Sequence, residues 1–373
     1  MRIAILKETA PGEARVAATP ETVKKFTALG ATVAIEEGAG AAASYPDEAY
    51  REAGAELLPT ARAVADADIV LGIQAPPVMA LAGAKKGAWV AASFDPFRQQ
   101  ELVADYAQGG FEALAMELMP RITRAQSMDV LSSQSNLAGY KAVLTAANVY
   151  GRAFPMMMTA AGTVQAARVF VMGVGVAGLQ AIATAKRLGA QVSATDVRSA
   201  TKEQIQSLGA KPVFVENVAG IEGEGAGGYA TEMSEEYQKA QAELVSSHIA
   251  KQDIVITTAL IPGRAAPRLI SDEQIASMKP GSVIFDLAVA QGGNVEGSSP
   301  DEVVERHGVK IVGYTNTAGH LAADASALFA RNLFNFLNAF WDKDEGRPVL
   351  DEEIGDAIRL TRDGAVVHPK LAS

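Results

Sequence analysis

Short apolar runs of strand length alternate with amphipathic stretches of helix length along most of the chain, a pattern that predicts parallel sheets joined by crossover helices. Arg2–Leu6 reads as a strand. Thr19, Pro20 and Glu21 read as an N-cap with proline at the first helical position, Val23–Leu29 as the helix, and Gly30 as its stop before a strand over Thr32–Glu36. A helix near Asp47–Ala53 and strands over Ala67–Ile73, Ala88–Ala92 and Phe111–Met116 continue the series.

Asn136–Ala153 is rich in good helix formers and reads as a helix connecting two domains. The alternation then restarts. Strands are predicted over Val169–Met172, Gln191–Thr195, Val213–Val215, Asp253–Thr257, Val283–Leu287 and Lys310–Gly313, with helices over Leu179–Leu188, Lys202–Leu208 and Glu232–Ala250. Six such strands fit a Rossmann sheet. The glycine-rich stretch Asn217–Tyr229 lacks periodicity and reads as a mobile loop. Leu321–Trp341 reads as a long helix returning the chain to the first domain, and Ile358–Val367 as a hairpin around Asp363-Gly364. The expectation is an α/β protein of two Rossmann-like doubly wound parallel-sheet domains separated by a cleft. The first domain spans 1–135 and is completed by 330–373; the second spans 136–329.

Composition narrows the chemistry. The 373 residues carry 33 Lys+Arg against 43 Asp+Glu, a net charge of −10, which argues against nucleic acid and anionic membranes as partners. The absence of cysteine excludes disulfides, thiolate nucleophiles and Cys-ligated metals, and no metal site is predicted. Charges interrupt the N-terminus before a signal peptide can form, and no apolar run is long enough to span a bilayer.

Gly173-Val174-Gly175-Val176-Ala177-Gly178 follows a predicted strand and opens a predicted helix, the context a dinucleotide fingerprint requires. Its glycines allow a tight turn and close approach of a pyrophosphate to the helix N-terminus. Asp196 ends the next strand, where a carboxylate accepts hydrogen bonds from the adenosine ribose and repels a 2′-phosphate. NAD(H) is therefore favoured over NADP(H), with Arg198 weakening the discrimination slightly. The bland alternative is a glycine-rich turn in a structural βαβ unit.

The polar, non-periodic stretch Met119–Asn136 reads as a loop at the domain junction. Arg121 and Asp129 are suited to hold each other and a carboxamide; the alternative is a solvated connection. The four histidines are scattered without ligand or triad spacing, so a dinucleotide site stands here without an evident acid–base partner.

The stretches Met116–Arg121, Arg124–Tyr140 and Gly173–Ala190, together with Lys7-Glu8, Pro11-Gly12-Glu13, Arg15-Val16-Ala17 and the C-terminal Thr361–Ala365 and Val367-His368-Pro369, resemble the NAD(H)-binding components of proton-translocating NAD(P) transhydrogenases. That resemblance implies direct hydride transfer between NAD(H) on this chain and NADP(H) on a partner component, coupled to proton translocation by a membrane-spanning component. It also implies a homodimer, at the cytoplasmic face of the membrane. By the same resemblance, Arg121, Gln126, Asp129 and Ser132 hold the nicotinamide end, and Gln126 reaches toward the partner's nucleotide. Gly173, Gly175, Val176, Gly178, Asp196, Val197, Arg198 and Leu260 line the cofactor, and Gly228 and Tyr229 belong to a mobile lid. A related pattern, that of alanine dehydrogenase, carries Lys and His where this chain has Gln74 and Ser93-Phe94-Asp95, which argues against amino-acid oxidation. A non-catalytic NAD sensor is the remaining alternative. Ala318-Gly319-His320 departs from the Pro-Ser-Arg often found in the transhydrogenases.

Overall fold

The computed structural model describes residues 1–215, 235–261 and 263–371. The predicted loop Asn217–Tyr229, with Gly228 and Tyr229, lies outside them. Two compact units form: Met1–Gln134 with Ala318–Ser373, and Ser135–Thr317.

The first unit holds β1 (Arg2–Ile5), β2 (Thr32–Glu36), β3 (Glu56–Leu58), β4 (Ile69–Gln74), β5 (Trp89–Ser93) and β6 (Glu112–Ala115). They form a parallel sheet in the order β3-β2-β1-β4-β5-β6. Its central strands are apolar at successive positions, with Ile3, Ala4, Ile5, Val70, Leu71, Val90 and Ala91 buried, as a sheet covered on both faces demands. The covering helices here are α1 (Pro20–Ala28), α2 (Asp47–Glu52), α3 (Thr60–Ala63) and α4 (Gln100–Gln108). Thr19 caps α1 in a reciprocal box with Thr22, behind the proline that the sequence marks as the helix start. The sequence reading omits β3, a three-residue edge strand too short to display a period.

Helix α5 runs over Val130–Val149, starting six residues before the predicted Asn136. The second unit then holds β7 (Met157–Thr159), β8 (Gly162–Val164), β9 (Arg168–Met172), α6 (Val176–Arg187), β10 (Gln191–Thr195), α7 (Thr201–Ser207) and β11 (Lys211–Pro212). It continues with α8 (Glu235–Ile249), β12 (Ile254–Thr257), α9 (Asp272–Ala276), β13 (Val283–Asp286), β14 (Glu302–Arg306) and β15 (Val309–Gly313). The sheet order is β11-β10-β9-β12-β13-β15-β14, parallel except for β14, which forms an antiparallel hairpin with β15. The strand predicted at Val213–Val215 falls instead at Lys211–Pro212, although Val213 N still donates to Ala194 O at 2.8 Å. β7 and β8 form a separate hairpin that carries exposed Met157 and Met158.

The C-terminal stretch contains α10 (Ala322–Ala339), the hairpin β16 (Trp341–Asp342) and β17 (Arg347–Pro348), α11 (Glu352–Ile358), and the hairpin β18 (Thr361–Arg362) and β19 (Ala365–Val366). The last turns on Asp363 and Gly364, both at positive φ (51° and 82°), the conformation an Asp-Gly pair supplies at low cost. Helix α10 buries Phe329, Leu333, Phe336 and Leu337 in the first unit's core. The boundary thus falls at Thr317/Ala318, before this helix, whereas the sequence reading puts it at 329/330. Beyond α11 the chain runs along the free edge of β6: Leu360 N donates to Ala113 O, Thr361 Oγ1 donates to Phe111 O, and Arg359 pairs with Glu112. Among the described residues, no helix is long and apolar enough to cross a membrane.

Candidate functional site

In the second unit β9 ends at buried Met172, and Gly173 turns the chain at φ +97°. A Cβ on Gly173 would lie 2.5 Å from Thr258 Oγ1, and one on Gly178 would lie 1.9 Å from Gly173 O. Only glycine lets this first helical turn sit against the strand end. Gly175 is the opposite case: as the N-cap of α6 it offers no side-chain oxygen, and a Cβ there would meet nothing within 4 Å. The space ahead of the orphan N–H groups opened by Val176 is therefore clear, which fits an anionic pyrophosphate. Helix α5 braces this turn, since a Cβ on Gly139 would stand 2.1 Å from Ala177 O.

Asp196, at the end of β10, is buried. Its Oδ2 accepts from Val174 N (2.7 Å) and Arg198 Nη2 (2.9 Å), and its Oδ1 accepts from Arg198 N and Nε (both 2.9 Å). Burial would raise this carboxyl, but the Arg198 guanidinium and the two backbone N–H groups hold it below the usual carboxylate range. The carboxylate is thus ionised and fully occupied by protein donors, with Val197 half-buried between the pair. A ribose hydroxyl reaches a lone pair there only by displacing a guanidinium N–H.

On the other side of β9, Thr258 follows β12 and donates from its backbone N to Met172 O and from Oγ1 to Gly173 O, both at 2.9 Å. Leu260, partly exposed, lies in the loop that follows. Asn294, fully buried, accepts at Oδ1 from Ala259 N (3.1 Å) and donates from Nδ2 to Ala259 O (2.9 Å) and Pro267 O (2.8 Å). Asp286, also fully buried, accepts from Ala288 N, Asn294 N and Val295 N and from Thr257 Oγ1. Sequence reasoning missed both. The one signal was an aspartate closing an apolar strand ahead of Gly292-Gly293-Asn294, which reads equally well as turn chemistry.

In the first unit the predicted loop Met119–Asn136 is only partly a loop. Thr123–Met128 forms a 3-10 stretch and α5 begins at Val130. Arg121 and Gln126 are exposed. Asp129 is the N-cap of α5: Oδ1 accepts from Ser132 N at 2.9 Å and Oδ2 from Ser132 Oγ at 2.5 Å. The residues read as a nicotinamide clamp thus include a helix cap, which a polar run without apolar spacing concealed. Asn332 of α10 spans the cap, donating to Ser127 O and accepting from Ser133 Oγ. Gln134 accepts from Arg15 Nη1 at 2.8 Å, and Arg15 forms a buried pair with Glu13 at 2.6 Å.

Gln74, at the end of β4, donates to Glu13 Oε2 at 3.5 Å, and Asp95, after β5, sits at φ 46°. Two carboxyls support these strand ends. Glu8 accepts from Ile73 N and Gln74 N across an irregularity in β4, and Glu117 Oε1 accepts from Phe94 N and Asp95 N, both at 2.7 Å. Burial pushes each up to about 7. The histidines are engaged elsewhere: His248 Nε2 lies 2.8 Å from Ser193 Oγ with its ring edge-on to Phe170, His307 pairs with Asp272, and His368 packs against Phe97. Among the described residues no group of three or more His, Cys, Asp or Glu is placed to hold a metal.

The alanine dehydrogenase/PNT N-terminal domain model matches residues 4–138, and the C-terminal domain model matches residues 142–369. The first of the separately encoded pieces of the NAD(P) transhydrogenase alpha subunit in Rhodospirillum rubrum is 55% identical over 379 residues, covering 100% of this chain and 99% of that protein. Its counterpart in Rickettsia prowazekii (strain Madrid E) is 46% identical, covering 99% and 96%. The crystal structure of transhydrogenase from Sinorhizobium meliloti superposes with a TM-score of 0.90 at 53% identity, covering 98% of this chain and 100% of that one. An L-alanine dehydrogenase shares the fold at a TM-score of 0.82 and 24% identity, covering 100% and 98%.

Proposed function

The chain belongs to the alanine dehydrogenase/PNT family, and from that premise we propose that it is the NAD(H)-binding subunit of a proton-translocating NAD(P) transhydrogenase. The observation that carries the reading is the cradle Gly173–Gly178: a cleared helix N-terminus for a pyrophosphate, with an ionised carboxylate at the end of the neighbouring strand. When bound, the nicotinamide supplies the hydride chemistry. Gly175 and Val176 receive the pyrophosphate, and Asp196 with Val197 and Arg198 selects the adenosine ribose.

Leu260 flanks the nicotinamide half, and Gly228 and Tyr229 close over it. Arg121, Asp129 and Ser132 hold the carboxamide region, with Asp129 acting chiefly by fixing the start of α5. Gln126, exposed in the preceding turn, reaches toward NADP(H) on the partner component. Hydride passing between two nicotinamides needs apposition and no substrate proton to be removed, which agrees with Gln74 and Asp95 standing where alanine dehydrogenases carry Lys and His. The chain works beside a membrane-spanning component at the cytoplasmic face. It pairs as a homodimer, a reading supported by the exposed Met156, Met157 and Met158 around an otherwise isolated hairpin.

The test is the rate of NADPH-dependent reduction of an NAD analogue by this chain mixed with a transhydrogenase NADP(H)-binding component, against each alone. Transfer is expected only in the mixture, and Gln126→Asn should slow it about tenfold or more while NADH affinity stays within twofold. No transfer in the mixture, with NADH demonstrably bound, would return the chain to the small-substrate or sensor readings.

A further inference from the structure

The side chain of Asn294 uses both of its amide donors and its carbonyl on the two ends of one loop, Ala259 and Pro267, thirty-five and twenty-seven residues away in sequence. An asparagine with no solvent exposure that satisfies only backbone groups of another segment fixes that segment's path. Its own position is fixed in turn. Asp286 accepts from Asn294 N, and Gly293, at φ +79°, lets the backbone come so close that a Cβ there would lie 2.7 Å from Asp286 Oδ2. At the near end of the loop, Thr258 is tied to Met172 O and Gly173 O of the fingerprint. The ends of β9, β12 and β13 are thereby locked together through hydrogen bonds among Gly173, Thr258, Ala259, Asn294 and Asp286.

The sheet order assigns this lock to one half of a dinucleotide. Asp196 and the ribose it selects lie on the β10 side of β9, whereas the Asn294 loop lies on the β12–β13 side. In a doubly wound sheet the two halves of a dinucleotide divide across the fingerprint strand, so the loop faces the nicotinamide half. Resting on the NAD(H) reading of the second unit, we propose that Asn294 is a positioning residue for the nicotinamide half of the cofactor. It acts by holding Ala259–Pro267, and Leu260 within it, against the end of β9. Asp286 sets Asn294 and belongs to the same device.

The experiment compares two ligands in the full-length chain: NADH, which spans both halves, and 5′-AMP, which occupies the adenosine half alone. Asn294→Ala should raise the Kd for NADH about tenfold and leave that for 5′-AMP within twofold. Unchanged NADH affinity, or a parallel loss for both ligands, would overturn the proposal, because a general loosening of the unit does not discriminate between halves.

If the alanine variant does not fold, Asn294→Asp carries the test. Its introduced carboxyl, nearly isosteric, retains a donor only while protonated. Burial raises that protonation into the neutral range, so NADH affinity should fall between pH 6 and pH 8 relative to wild type, with 5′-AMP affinity flat. A wild-type-like, pH-independent affinity in this variant would equally refute the role of Asn294. Failure of the underlying reading looks different: the wild-type chain would itself bind 5′-AMP but not NADH, and this proposal would fall with it.

Discussion

Glu117 holds two backbone N–H groups with one oxygen, while its other oxygen is buried without a hydrogen-bond partner. Burial lifts its carboxyl from 4.5 to about 7, so the folded chain binds this proton more tightly than the unfolded one. The contribution is therefore fully present below about pH 4.5 and is lost as pH rises through about 7, as it is for Glu8 with the same raised value. Glu117→Gln keeps the acceptor facing Phe94 and Asp95 and removes the charge. Differential scanning calorimetry should show the variant about 1–2 kcal/mol more stable at pH 8, roughly 3–6 °C in Tm, and near wild type at pH 5. A lower Tm at pH 8 would mean that the ionised carboxylate is worth more to those N–H groups than its burial costs.

Between elements, the decisive contact is helix α5 against the first turn of α6. Gly139→Ala would drive a methyl into Ala177 O, 2.1 Å away, and force the α6 N-terminus to shift. The expected outcome is about 1–3 kcal/mol of destabilisation in thermal unfolding and several-fold weaker binding of both NADH and 5′-AMP, because both place phosphate at that terminus. Gly151→Ala, where an added Cβ meets nothing within 4 Å, is the control and should bind both normally.

The fingerprint itself was legible because its information is local: glycine spacing, the strand before it and the helix after it. The start of α5 was not, since Asp129 caps through Ser132 inside a run of polar residues without apolar spacing. Neither were β3 and β14, whose edge positions relax the demand for buried side chains. Asn294 lay beyond reach for another reason: its partners are distant in sequence, and no local pattern records them.

At the scale of the whole molecule, the first unit is discontinuous and the second is a single stretch, Ser135–Thr317. A chain ending after Asp342 loses the Arg359–Glu112 pair and the Leu360 and Thr361 bonds that cover β6. Calorimetry should then show the first unit melting at least about 5 °C lower, while 5′-AMP titration of the second unit stays unchanged. A uniform loss would instead show that the two units unfold together. The same covering of β6 bears on the order in which the protein is made. Glu112 leaves the ribosome 247 residues before Arg359, its partner. At about 5–20 residues per second, the edge strand waits roughly 12–50 s with its N–H and C=O groups unmatched. In that interval the second unit can complete itself, and the first is a nascent sheet open to any passing strand, so this stretch of synthesis is where a chaperone has most to shield.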